Sequence, residues 1–417
     1  MEQQLCEVLS CGPATEIRVP DRRRLRGKKG KRRKVTLKSE RSNSRAPLAL
    51  LHGSNFDSDS GHEDKEPGDP NISDEGVDEM DRGKSPTQLA MEAKEMAAEK
   101  ADFARYIRIW KSSWGFEGYG SFRDMTTVSS MHFTNLIPGS DPSDRGTVAP
   151  TLQVFSIKIS EIKGGLRWPL SVYGVVAARD AVDHNRNLLF ARDRSVYQTI
   201  KEDDPYLRLT GPSRAIVFGD PVDFEIQLKL RGSTAARDRA LITSTERYST
   251  GIGPICFENC FCTTELKLEA IERSVQATIL GVCDKGGPWA SKYGGRVVCY
   301  APSRSGEING EVVLSDSCSG GMMPTGLSGH LRLSRNVVSV EMQGSLQVSL
   351  QAYSSSGGFS QRKVVSFKAK SCLISQASVT FGGAKVEITV AWSRLVSEKE
   401  DITTKGWVHG LGDSDKV

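Results

Sequence analysis

Between residues 151 and 394 the chain reads as one series of segments written twice, about 122 positions apart. LQVFSIKISEIKGGLRWPLSVYGVV (152–176) is echoed by VQATILGVCDKGGPWASKYGGRVV (275–298), and YLRL (206–209) by HLRL (330–333). DFEIQLKL (223–230) then matches SLQVSLQAY (345–353), and TELKLEAI (264–271) matches VEITVAW (386–392). Lys163 and Lys285 stand 122 positions apart, as do Glu265 and Glu387, while Trp168 and Trp289 differ by 121. A collinear series at nearly constant offset predicts two copies of one module. A copy of about 120 residues is long enough to bury a core of its own.

The pattern inside each copy is that of strands. In DFEIQLKL, Phe224, Ile226, Leu228 and Leu230 fall on one face and Asp223, Glu225, Gln227 and Lys229 on the other. That alternation predicts one buried and one wet face. VEITVAW repeats it with Val386, Ile388, Val390 and Trp392. SVYGVVAA (171–178) and RVVCYA (296–301) are continuously apolar and read as central strands. Gly, Pro, Ser and Asp punctuate the short strands, and no helical period follows residue 115. The expected fold is mainly β: antiparallel β-sandwiches in two tandem repeats, 151–273 and 274–396. One large sandwich built from two half-copies is the alternative. A segment at 115–150 connects to the body, and 397–417 reads as a flexible C-terminus.

Ahead of the body lies SPTQLAMEAKEMAAEKADFARYIRIWKSSW (85–114), a single amphipathic helix. Ser85 and Pro86 supply an N-cap and a favoured first-turn residue. Leu89, Met96, Phe103 and Trp110 recur every seven positions. Glu92, Glu95 and Glu99 precede Arg105, Arg108 and Lys111, which complements the helix dipole. The aromatic end is expected to pack on the β body, with pairing to a partner helix as the alternative.

Residues 1–83 read as a disordered tail with opposed charges. The first 50 residues carry a net +9 and residues 51–82 a net −9, so the whole chain's +5 conceals a strong asymmetry. RRRLRGKKGKRRK (22–34) has only Leu25 as an apolar residue, so it cannot nucleate a core. Arg22, Arg23, Arg24, Lys28, Lys29, Lys31, Arg32, Arg33 and Lys34 form a dense cluster of the kind an import receptor binds. The expected localisation is the nucleus, alone or together with the cytoplasm. Nonspecific nucleic-acid contact by the same arm is the competing reading. No aromatic is interleaved to stack on bases. No run of 18 apolar residues or export signal is present, so no transmembrane segment is expected and the nine cysteines are read as reduced.

No catalytic set stands out. There is no Gly-x-Ser-x-Gly elbow, His-Glu-x-x-His pair or Gly-Lys-Ser/Thr phosphate loop. The candidate ligand or partner loops hold Trp168, Asp180, Asp183, His184 and Trp289. A Trp following KGG in both copies could anchor a partner or stack on a sugar, or else seal its own sandwich. Asp180, Asp183 and Asn185 resemble the acidic loops of calcium-dependent lipid-binding sandwiches, whose cation needs six to eight oxygens. The second copy offers a single carboxylate there, Glu307, and a structural polar loop is the preferred reading. Cys256, Cys260 and Cys262 lack the second ligand cluster of a zinc site. No cofactor or metal is expected.

WPLSVYGVVAARDAVDHNRNLLF (168–190), LTGPSRAI (209–216), DPVDFEIQLKLRG (220–232), RDRALI (237–242) and LSRNVVSVE (333–341) together resemble one family. It is a plant family, abundant in cereal grasses and catalogued only as a domain of unknown function. The resemblance runs from the helix near Ala93 to TVAWS (389–393). It implies a plant source and no activity. Some members resemble fusions to ribosome-inactivating N-glycosidases, but MEAKEMAAEKADFARY (91–106) matches that enzyme's active-site helix in composition only. The leading expectation is a non-enzymatic, nuclear-targeted interaction or scaffold protein with an unidentified protein partner. A domain that binds carbohydrate or nucleic acid, or a hydrolytic defence-type domain, is the alternative.

Overall fold

The computed structural model describes residues 81, 83–115, 119–136, 146–286, 294–302, 310–317, 322–326, 329–354 and 359–397. The basic cluster at 22–34, the acidic stretch before residue 81, Trp289, Glu307 and residues 398–417 lie outside them.

Helix α1 (Pro86–Trp114) begins in a capping box, with Ser85 Oγ accepting from Gln88 N (3.2 Å) and Gln88 Oε1 from Ser85 N (2.9 Å). Of the seven-residue series, Phe103 and Trp110 are buried and Met96 packs on the body, while Leu89 stays exposed.

Apart from two short 3-10 turns (Arg194–Val196 and Ala235–Arg237), the regular structure described after the helix is β, in three antiparallel sheets. The strands are β1 (Ala149–Ile162), β2 (Leu170–Arg179), β3 (Asn187–Arg192), β4 (Gln198–Ile200), β5 (Ile216–Val217), β6 (Val222–Leu230), β7 (Arg239–Tyr248) and β8 (Ile255–Glu258). They continue as β9 (Cys262–Asp284), β10 (Gly295–Tyr300), β11 (Val312–Asp316), β12 (Val337–Glu341), β13 (Ser345–Tyr353), β14 (Phe359–Lys368), β15 (Ile374–Phe381) and β16 (Ala384–Ser393). The first sheet runs β15-β16-β9-β1-β5, with β8 and β12 also paired to β9. The second runs β3-β2-β6-β7, with β4 on β2, and the third runs β11-β10-β13-β14.

β9 organises the molecule. Its first half pairs with β1, from Ile162↔Cys262 to Ala149↔Ser274, and its second half pairs with β16 and β12. Between the halves Arg273 has φ 47°, a left-handed conformation that costs a non-glycine residue free energy and turns the strand. Two apolar cores follow. One takes Val172, Phe190, Phe224, Ile226, Leu228 and Leu266; the other takes Ile279, Val297, Leu314, Val348, Ile388 and Trp392.

The alternation in β6 holds for Phe224, Ile226, Leu228 and Leu230, all buried. Glu225 departs from it. Expected on the wet face, it is 1% exposed because the connecting segment and α1 cover that end of the sheet. Phe122 packs there against Phe103, Tyr106 and Trp110.

Candidate anion-binding cleft

The loop after β2, where Asp180, Asp183 and His184 lie, is closed inward. Arg214 donates to Asp180 through both terminal nitrogens (2.6 and 2.7 Å) and to Asp183 Oδ1 (3.0 Å). Val217 N adds a bond to Asp180 Oδ2 (2.8 Å). All three side chains are buried. Burial works against the Arg214 charge, but the facing carboxylates outweigh it and raise its pKa above the ordinary value. A calcium ligand set needs open carboxylate oxygens. Here the guanidinium occupies both oxygens of Asp180 and one of Asp183, leaving Asp183 Oδ2 buried without a hydrogen-bond partner.

His184 (φ 52°) is held by aromatic contacts. Its ring stacks on Trp114 (3.6 Å between centroids, 12°) and meets Tyr119 edge-on, and its carbonyl accepts from Trp110 Nε1 (2.9 Å) and Arg179 Nη1 (2.9 Å). Arg179 sits over Phe122 (4.1 Å) and pairs with Glu225 (3.1 Å), which Arg186 also reaches. These contacts bolt α1 to the sheet. Trp168 packs, half-buried, against the first core.

The three neighbouring cysteines are dispersed by burial. Cys256 is exposed, while burial, then Glu95, Glu92 and Glu99, push the Cys260 thiol up to about 11. Burial pushes Cys262 up to about 12. Such thiols stay protonated at neutral pH and are poor metal ligands. Among the described residues no group of three His, Cys, Asp or Glu could hold a metal.

A cleft of about 770 Å³ opens where the two cores meet. One wall comes from the end of β3 and residues 204–210, the other from β10, β11 and residues 332–335; Phe155 and Lys267 are also in its lining. Six cations line it, Arg192, Arg208, Lys267, Arg296, Arg332 and Arg335, against three acids, Asp204, Glu311 and Asp316. Two of the cations are neutralised. Arg208 pairs with Asp204 (2.7 Å) and Arg296 with Glu311 (2.5 Å) and Asp316 (3.0 Å). Arg335 is buried and donates to the carbonyls of Val313 (2.9 Å), Val154 (2.8 Å) and Phe155 (2.8 Å). Burial brings its pKa down to about 10, so it remains charged at neutral pH.

Arg192, Lys267 and Arg332 have no carboxylate partner among the described residues. Arg192 Nε is also buried without any hydrogen-bond partner, and burial, then the charge of Arg208, lower its pKa. The lining contains no His or Cys. The hydroxyls of Ser315 and Ser334 donate to the carbonyls of Arg332 and Leu314. A surplus of fixed positive charge beside Phe155, Leu207 and Leu209 is suited to holding an anion.

Of the candidate residues that the structure describes, Trp168, Asp180, Asp183 and His184, none lines this cleft. A signal was present: Arg208 and Arg332 are the arginines of YLRL and HLRL, the echoed pair of segments. Arg192, Lys267, Arg296 and Arg335 are scattered over the chain and no local charge run marks them.

Fold and cleft together define a mainly β protein with a basic cleft between its two cores. A model of the family DUF6598, described as a domain of unknown function, matches residues 151–390, and the chain belongs to that family. No curated protein matches it. Among solved structures it is similar to human GIVD cytosolic phospholipase A2, at 10% identity and a TM-score of 0.22. That match covers 61% of this chain and spans 31% of the other's length, and the likeness is too slight to carry activity across.

Proposed function

We propose that this chain is a non-enzymatic binding protein built from two copies of one β-sandwich, with an anionic ligand held in the cleft between them. Strand pairing supports the duplication. The second and third sheets run in the same relative order, β3-β2-β6-β7 and β11-β10-β13-β14. In the first sheet, β8 and the first half of β9 with β1 and β5 correspond to β15, β16, the second half of β9 and β12. Gly174 in β2 and Gly295 in β10 make the same close approach. A Cβ there would sit 2.1 Å from the Gln227 carbonyl oxygen and 2.0 Å from that of Gln351.

The observation that carries the ligand class is the trio Arg192, Lys267 and Arg332, three cations in one cleft with no carboxylate partner among the described residues. Placing like charges together costs free energy unless an anion offsets it. Thermal unfolding of the full chain with pyrophosphate, citrate and sulfate tests this. A ligand at one hundred times its Kd adds about 2.7 kcal/mol, and the Arg192→Gln/Arg332→Gln variant should lose that gain. No shift with any of the three anions would refute the reading.

Nuclear import through residues 22–34 belongs to the same proposal, on the density of the cluster alone. A fluorescent fusion should concentrate in nuclei and leave them when Lys28, Lys29, Lys31, Arg32, Arg33 and Lys34 become Ala. Exclusion of the unmodified fusion from nuclei would refute it.

A further inference from the structure

The two copies differ in what covers their edge strands. β7, the edge of the second sheet, is covered by α1. Glu99 Oε2 accepts from the free backbone N–H of Thr243 (3.0 Å), Met96 packs on the first core, and Arg239 pairs with Asp81 just before the helix. Glu92 and Glu95 lie on the same side, close enough to raise the Cys260 thiol. β14 holds the corresponding place in the third sheet, and its first six residues, Phe359 to Val364, are all exposed. Phe359 is 48% and Val364 41% exposed.

Charge distinguishes this edge as well. Residues 359–381 contain Arg362, Lys363, Lys368 and Lys370 and no carboxylate at all. In the corresponding stretch 239–262, Arg239 and Arg247 are balanced by Glu246 and Glu258. Among the described residues Lys363, Lys368 and Lys370 have no acidic partner. We infer that the β14 edge is a docking site for an acidic amphipathic helix of a partner protein, seated as α1 is seated on β7. The inference rests on the equivalence of β7 and β14 proposed above. A second copy of this chain is the poorer occupant, because two basic edges would meet like charge to like charge. A bare polyanion would match the lysines and leave Phe359 and Val364 uncovered.

Fluorescence anisotropy on the full-length protein tests it, with labelled peptide 85–104 of this chain, SPTQLAMEAKEMAAEKADFA, as the probe. Saturable binding is expected, weakened at least tenfold in the Lys363→Glu/Lys368→Glu variant. A peptide with its Glu residues changed to Lys should bind that variant in preference to the unmodified protein. Because these lysines are exposed, the variant should keep the native melting temperature. No peptide binding, binding indifferent to the variant, or variant-sensitive binding of a labelled oligothymidine in place of the peptide would each overturn the inference. A peptide carrying Ser at Met96 and Phe103 addresses the equivalence of the two edges. If it binds as tightly as the parent, the edge is a simple acid trap and the likeness of β14 to β7 fails. Pyrophosphate binding in the cleft is a separate readout, so loss of the peptide signal alone leaves the ligand reading standing.

Discussion

Replacing Asp180 by Ala should be among the most damaging single changes in this protein. The substitution removes two charge-assisted hydrogen bonds from Arg214, at 2.6 and 2.7 Å, and the acceptor for Val217 N at 2.8 Å. Arg214 keeps Asp183 at 3.0 Å and Thr126 Oγ1 at 3.1 Å, so its charge stays in the interior with half its compensation gone. Breaking a buried ion pair costs roughly 3–5 kcal/mol, and an orphaned buried amide accounts for about 1–3 of it. At about 2–4 °C per kcal/mol for a body of this size, the melting temperature should fall by about 10 °C. Scanning calorimetry of the full chain reads this directly. Arg214→Met should be comparably costly, because it leaves two buried carboxylates facing each other. The double variant should lose less than the sum, by at least about 1 kcal/mol, because neither change then strands the other's charge. A loss below about 1 kcal/mol for Asp180→Ala, or strict additivity, would refute the view that this loop is an internal ionic lock.

The remaining predictions concern the joint, the helix and the thiols. Arg335→Ala removes the donor to the Val154 and Phe155 carbonyls of β1, a tie between the cores, and should split calorimetric unfolding into two transitions. A single sharp transition would show that β9 alone couples them. Burial raises the pKa of Glu99 in the folded chain, so ionising it favours unfolding and its contribution is lost as pH rises from the unfolded value of 4.5 through the folded one. Glu99→Gln should therefore gain stability relative to the parent as pH rises above the unfolded value of 4.5, and a pH-independent difference would contradict this. Among Cys256, Cys260 and Cys262, thiol labelling at about pH 8 mapped by mass spectrometry should modify Cys256 first and the other two only on unfolding. Equal labelling would contradict the burial described here.

The sequence displayed those parts of the architecture that have a local period. The alternation of β6, the capping box at Ser85 and the apolar runs of β2 and β10 each follow from a window of under ten residues. The role of Glu225 was hidden because its burial comes from Phe122, far along the chain, laid over the sheet with Arg179 beneath it. Asp180, Asp183 and His184 read as a polar loop without visible partners, because Arg214 and Trp114, which close it, lie 34 and 70 positions away. The boundary expected between 273 and 274 falls at the turn in β9 at Arg273, yet the strand continues through it. No alternation pattern announces a strand shared by two cores. The cleft was hardest to see, since its charges are spaced from Arg192 to Arg335 and only YLRL and HLRL tie two of them together.

Titration calorimetry with pyrophosphate tests the central claim most directly, comparing the unmodified full chain with Arg192→Gln, Arg332→Gln and the control Lys363→Gln, which is not in the cleft lining. A charge-assisted hydrogen bond is worth about 1.5–3 kcal/mol, so each cleft variant should raise Kd by about tenfold or more. The control should leave Kd unchanged. Binding that survives both cleft substitutions, or that falls equally in the control, would place the anion elsewhere and contradict the account.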